Sequence, residues 1–134
     1  MELTVLQDEL IGEFTGRNTG YRVLPDGKLE TNAQGMGKFF GMDAFLMSTA
    51  VGTMANGVFV GEVNGIIALT SGESVMMKGT AVGYPSADGG GITRSTSVQM
   101  TQSEKLKHLN KEMCFSEFKT DMTDNWTGKM WIWK

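Results

Sequence analysis

Residues 46–67 read Leu46-Met47-Ser48-Thr49-Ala50-Val51-Gly52-Thr53-Met54-Ala55-Asn56-Gly57-Val58-Phe59-Val60-Gly61-Glu62-Val63-Asn64-Gly65-Ile66-Ile67. Asn56-Gly57 lies between two runs rich in β-branched, aromatic and other apolar residues. Asn-Gly accepts positive φ at both centres of a two-residue hairpin loop, so this pattern is a strong local hairpin signal. The loop sets Met54 opposite Phe59, Gly52 opposite Gly61, Ala50 opposite Val63 and Leu46 opposite Ile67.

Asp26-Gly27 and Ser71-Gly72-Glu73 carry the same signal on either side. With the turns as boundaries, the chain divides into eight strands at about 12–24, 28–40, 43–55, 58–69, 74–85, 92–102, 114–124 and 128–133. The two prolines, Pro25 and Pro85, fall beside a turn and at a strand end, so no central strand loses a ladder donor. Between the sixth and seventh strands, Leu106, Leu109 and Met113 recur at helical spacing, and Thr101 and Glu104 stand three apart as in a capping box. This predicts one short helix of about three turns. Met1 to Gly12 reads equally as an extra strand, a lid or a short helix.

Glycine pairs four apart, Gly37/Gly41, Gly61/Gly65 and Gly79/Gly83, each fall on one strand face. Interior glycines weaken a flat strand but permit the coiling that closes a small barrel. The expected fold is therefore all-β: an eight-stranded antiparallel up-and-down barrel with one short helix before the last two strands, formed by residues 1–134 as a single domain.

Turn parity then assigns the faces. If Ser71-Gly72 closes a two-residue loop, Met76 opposes Ile67, Lys78 opposes Gly65, Val82 opposes Gly61 and Tyr84 opposes Phe59. A Gly41-Met42 link joins Leu29, Ala33, Gly35, Gly37 and Phe39 to the same face. The predicted interior contains Phe39, Leu46, Met54, Phe59, Val63, Ile67, Met76, Val82 and Tyr84. The reverse assignment buries Glu62 and Asn64 beside Thr49, Val51, Met77 and Ala81. An odd-length loop or a bulge would break this parity. On the chosen assignment the glycines withhold volume and leave a cavity, which Gly61→Leu should fill without harming the fold. Phe45, Met47, Val58, Val60 and Val75 fall outside, and such an apolar exterior predicts a homo-oligomer, a dimer or trimer.

The net charge of −3, with acids and bases interspersed, provides no basic stripe for nucleic acid. No apolar run approaches the ~20 residues of a membrane helix. The start Met1-Glu2-Leu3 has neither the basic head nor the apolar body of a secretion signal, so a cytoplasmic location is expected and the Asn125-Trp126-Thr127 sequon reads as chance. One cysteine excludes an internal disulfide, and one His with one Cys speaks against a metal site; no cofactor is expected.

His108 falls among lysines on a solvated helix face, while Cys114, Phe118 and Met122 share a core parity. Ser86-Ala87-Asp88-Gly89-Gly90-Gly91 reads as a hairpin tip, because no GK[ST] follows it. Trp126, Trp131 and Trp133 crowd the C-terminus, with Trp131 and Trp133 on one face of the last strand and Met130 and Ile132 on the other, so that strand is expected to pair with the first and be covered on both sides, with a ligand-stacking role for one tryptophan as the alternative. Eleven methionines predict a loosely complementary core, with an adaptable ligand surface as the alternative.

The eight strands, glycine-rich hairpins and single helix before the closing pair 114–125 and 129–133 resemble a calycin-type barrel. They are similar in layout to the allene oxide cyclase-like barrels and the small bacterial proteins grouped with them. That resemblance implies an apolar cavity ligand and, from the cyclases, a trimer. The first functional reading is a small apolar or amphipathic molecule held in the cavity by Phe39, Leu46, Phe59, Val63, Ile67, Met76 and Tyr84, with Lys78 and Arg94 as polar contacts. The second is a cyclase or isomerase using Lys78, Tyr84 and Arg94, and the third is an interaction domain with a filled barrel. The sequence identifies no catalytic residue by motif.

Overall fold

The computed structural model describes residues 8–134; the part of the N-terminal reading that falls on residues 1–7 lies outside the described residues. Eight strands follow in chain order: β1 (Asp8–Val23), β2 (Leu29–Phe39), β3 (Met42–Ala55), β4 (Val58–Leu69), β5 (Ser74–Pro85), β6 (Gly91–Met100), β7 (Met113–Thr120) and β8 (Asn125–Trp133). Each pairs antiparallel with its neighbour, and β1 pairs with β8, so the sheet is a closed up-and-down barrel. The expected helix is a single 3-10 turn, Lys107–Lys111. Thr101 does not cap it. The Thr101 N–H donates to Asn110 Oδ1 at 2.9 Å, Asn110 Nδ2 donates back to Thr101 O at 3.1 Å, and the segment between folds over one end of the barrel. There Leu106 and Leu109, 3% and 0% exposed, close that end.

Two kinds of loop set the register. Asn56 and Gly57 have φ of 54° and 77°, and β3 pairs with β4 as the Asn-Gly reading requires, from Met54 with Phe59 to Leu46 with Ile67. The β2–β3 loop is Phe40-Gly41 rather than Gly41-Met42, which shifts the pairing by two residues and keeps the same face. The β4–β5 loop has three residues. Gly72 N–H donates to Leu69 O, Leu69 N–H donates to Glu73 O, and Gly72 takes φ of 95°, the left-handed bulge position of a three-residue hairpin. The same pair of bonds closes the turns at Leu24–Lys28, Ser86–Gly90 and Asp121–Asn125.

That extra loop residue moves the β5 register by one. Ile67 faces Val75, Gly65 faces Met77 and Phe59 faces Gly83. A one-residue slip exchanges the two faces of a strand. Val75, Met77, Gly79, Ala81 and Gly83 therefore point inward, whereas Met76, Lys78 and Val82 are exposed outside.

The inward glycines do not withhold volume from an open cavity. A Cβ on Gly61 would lie 2.3 Å from Val51 O and 2.8 Å from Gly52 Cα, and one on Gly79 only 1.8 Å from Thr96 O. These glycines mark creases where neighbouring backbones touch, between β3 and β4 and between β5 and β6. The expected benign Gly61→Leu substitution is thus corrected: the space for its side chain is already filled by backbone.

The methionines are also redistributed. Met130 is buried, but Met36, Met47, Met54, Met76, Met100, Met113 and Met122 are exposed, so most do not fill the core. Met47, Ile66, Met76 and Met100 stand opposite one another across four successive strands on the outer surface.

Candidate functional site

The inner wall differs around the barrel. Toward the 3-10 turn it is apolar and tightly filled: Phe39, Ile67 and Val75 are 0% exposed, with Leu46 and Ile132 packed beside them. Along β6 and β7 it is polar, because Thr93, Ser95, Ser97 and Gln99 alternate inward with outward Arg94, Thr96, Val98 and Met100. Ser95 and Ser116 share a hydroxyl hydrogen bond, and Gln99 Nε2 donates to Ser97 Oγ at 2.7 Å. Gln99 Oε1 is buried without a partner in the protein.

Cys114 lies on this wall, buried as its strand parity requires. Burial pushes its thiol up to about 12, with the Glu112 carboxylate adding to the effect, so it is protonated at neutral pH and is not poised as a nucleophile. We expect Ellman's reagent at pH 8 to react with the folded chain on the order of a thousandfold more slowly than with the urea-unfolded chain; equal rates would contradict the burial. A raised pKa in the folded state stabilises the fold below about pH 8.5. That contribution is lost as pH rises toward about 12.

At the hairpin end two aromatic side chains occupy space that glycines leave. The Trp126 ring lies over the paired Gly16 and Gly35, so close that a Cβ on either would meet Trp126 Cζ2, and Phe118 covers Gly128. The rings meet edge to face, with centroids 5.1 Å apart at 84°. Trp126 is 4% exposed, and its Nε1–H has no acceptor in the protein. Trp126 also forms part of the wall of a cleft of about 510 Å³ where β1, β7 and β8 meet, together with Gly16, Arg17, Lys119, Thr120 and Asp121. Asp121 is engaged by its turn: Oδ1 accepts from Thr123 Oγ1, Thr123 N–H and Asn125 N–H, which holds its carboxyl below the usual range. Asp88, on the same cleft, is held down likewise by Ser86 Oγ and Gly90 N–H. Arg17 and Lys119 take part in no ion pair among the described residues.

Of the residues expected to line a cavity, Phe39, Leu46 and Ile67 lie in the packed core, and Phe59 and Val63 face inward, partly buried, nearer the hairpin end. Met76, Lys78, Tyr84 and Arg94 lie on the outer face and are separated from them by the sheet. Arg94 Nε donates to Glu117 Oε2 at 2.8 Å while its guanidinium carbon sits 5.9 Å from the Tyr84 ring centre. Sequence reasoning placed Phe118 on a core parity, which the structure bears out, but did not single out Trp126 among the three tryptophans. The clue was the parity of Trp126 with Gly128, Met130 and Ile132, which puts it on the buried face of β8.

No protein-family model matches the chain, and no curated protein matches it. Solved structures do share its fold. A conserved protein of unknown function from Rhodopseudomonas palustris has a TM-score of 0.80 at 9% identity, covering 99% of this chain and 100% of that one. A β-barrel-like protein from Acinetobacter baumannii AYE has a TM-score of 0.75 at 11% identity, covering 99% of each chain. An enzyme from Penicillium herquei has a TM-score of 0.68 at 13% identity, covering 100% of this chain and 98% of that one. At these identities the likeness is one of fold, an eight-stranded barrel.

Proposed function

We propose that this protein binds a small amphipathic molecule at the hairpin end of the barrel, against Trp126 and Phe118, as calycin-type barrels hold ligands. The observation that carries the reading is the Trp126 indole N–H, buried on the inward face of β8 without an acceptor in the protein. An unpaired buried donor costs about 1–3 kcal/mol, and a ligand oxygen or nitrogen placed there recovers that loss. The aromatic faces suit an apolar body, and the indole N–H suits a single acceptor group on it.

The test is fluorescence titration with 1-anilinonaphthalene-8-sulfonate, an amphipathic probe. We expect saturable micromolar binding that Trp126→Phe weakens about tenfold, the equivalent of one lost hydrogen bond. A Met76→Glu/Met100→Glu variant controls for probe on the outer apolar surface and should bind as the parent does. Equal affinity in Trp126→Phe would remove the reading.

A further inference from the structure

We propose that the methionine-rich outer surface of β3–β8 is the interface of a homodimer. Beside the row formed by Met47, Ile66, Met76 and Met100 runs a second, Val98, Met113 and Trp133, paired across β6, β7 and β8. The bordering positions Met36 and Phe45 extend it. Eight of these side chains, counting Met36, Phe45, Met47, Met76, Val98, Met100, Met113 and Trp133, are between 36% and 68% exposed. At about half of the ~200 Å² of a large apolar side chain each, they present on the order of 800 Å², which is what one partner contributes to a stable dimer.

The chemistry around the stripe selects a second copy as its occupant. Asn64 and Thr96 beside it are uncharged, and Lys78 is the one cation flanking Met76 on β5. Of the other cations at its border, Lys38 beside Met36 is paired with Asp43 and Lys134 beside Trp133 with Glu9, so the stripe lacks the cluster of free cations that draws a protein to an anionic lipid surface or a nucleic acid. Charge is concentrated on another outer row instead, where Arg94, Glu117, Lys129, Glu13, Lys38 and Asp43 stand opposite one another in sequence around the barrel. A closed barrel presents no free strand edge, so copies meet face to face rather than by strand addition. Methionine and aromatic residues are the types enriched at such interfaces, and flexible thioethers adapt to one another across a two-fold axis. The net charge of −3 opposes association only weakly.

Sedimentation velocity of the full chain from 1 to 100 µM tests this. We expect a species of twice the 14.6 kDa chain mass, and in Met76→Glu/Met100→Glu a dissociation constant at least tenfold higher with an unchanged circular dichroism spectrum. Thr127→Glu, a substitution outside the stripe, should remain dimeric. A monomer at 100 µM overturns the proposal, and so does any larger closed oligomer. A monomer that instead binds phosphatidylcholine vesicles, or a dimer unaffected by the double substitution, overturns it equally. Because probe binding at Trp126 is measured separately, failure of the dimer leaves the ligand reading standing, and the reverse holds as well.

Discussion

Gly61→Ala is expected to destabilise the protein by about 3 kcal/mol, the upper part of the range for overpacking. The added Cβ would lie 2.3 Å from Val51 O, 2.8 Å from Val51 C and 2.8 Å from Gly52 Cα. These are backbone atoms, so no side-chain rotation relieves the overlap, and β3 and β4 must separate at their crease. For a chain of this length the loss corresponds to a fall of about 12 °C in Tm. Gly91→Ala is the comparison, since its Cβ would approach nothing nearer than Tyr84 O at 3.6 Å; it should stay within about 0.5 kcal/mol of the parent. Thermal unfolding of the two variants decides the matter: similar Tm values would mean that the crease is not enforced by contact.

The second large effect is expected for Trp126→Ala, about 3–5 kcal/mol by urea unfolding. The indole spans the inner surface of Gly16 and Gly35, which have no side chains to move into the vacated space. Their backbones already touch the opposite strand: a Cβ on Gly16 would lie 2.1 Å from Gln34 O, and one on Gly35 2.5 Å from Thr15 O. The void therefore persists, and Phe118 loses its edge-to-face partner. A loss below about 1 kcal/mol would show that the wall collapses onto the vacancy and that the lumen at this end is soft.

Much of the barrel was legible in the sequence because hairpin loops state their geometry locally. Asn56-Gly57 fixed the β3–β4 register residue by residue. Ser71-Gly72 misled for a local reason too: one glycine at positive φ serves either a two-residue or a three-residue loop, and only the Leu69–Glu73 bonds distinguish them. From that single residue followed the misplacement of Met76, Lys78 and Tyr84. The glycines were recognised as the source of coiling, but whether they face open space or another backbone depends on how sharply two strands fold together. Trp126 was hidden for a different reason. Its packing depends on Gly16 and Gly35, which reach it only through the pairing of β8 with β1 and β1 with β2.

Ring closure has a kinetic consequence. Seven of the eight strand pairings join neighbours in the chain, across loops of a few residues or across the 3-10 segment; the eighth joins β1 to β8, with Asp8 beside Trp133. Zipping local hairpins requires little loop-closure entropy, whereas the last pairing must bring together the two ends of a nearly finished sheet. Until it forms, the open intermediate carries two unsatisfied edges, one of them the strand that bears Trp126, Met130 and Ile132. Each edge is a template for the missing strand, whether it comes from the same molecule or from another. At low concentration the chain's own β1 reaches β8 first; in a crowded refolding mixture, the same chemistry favours exchange of strands between molecules.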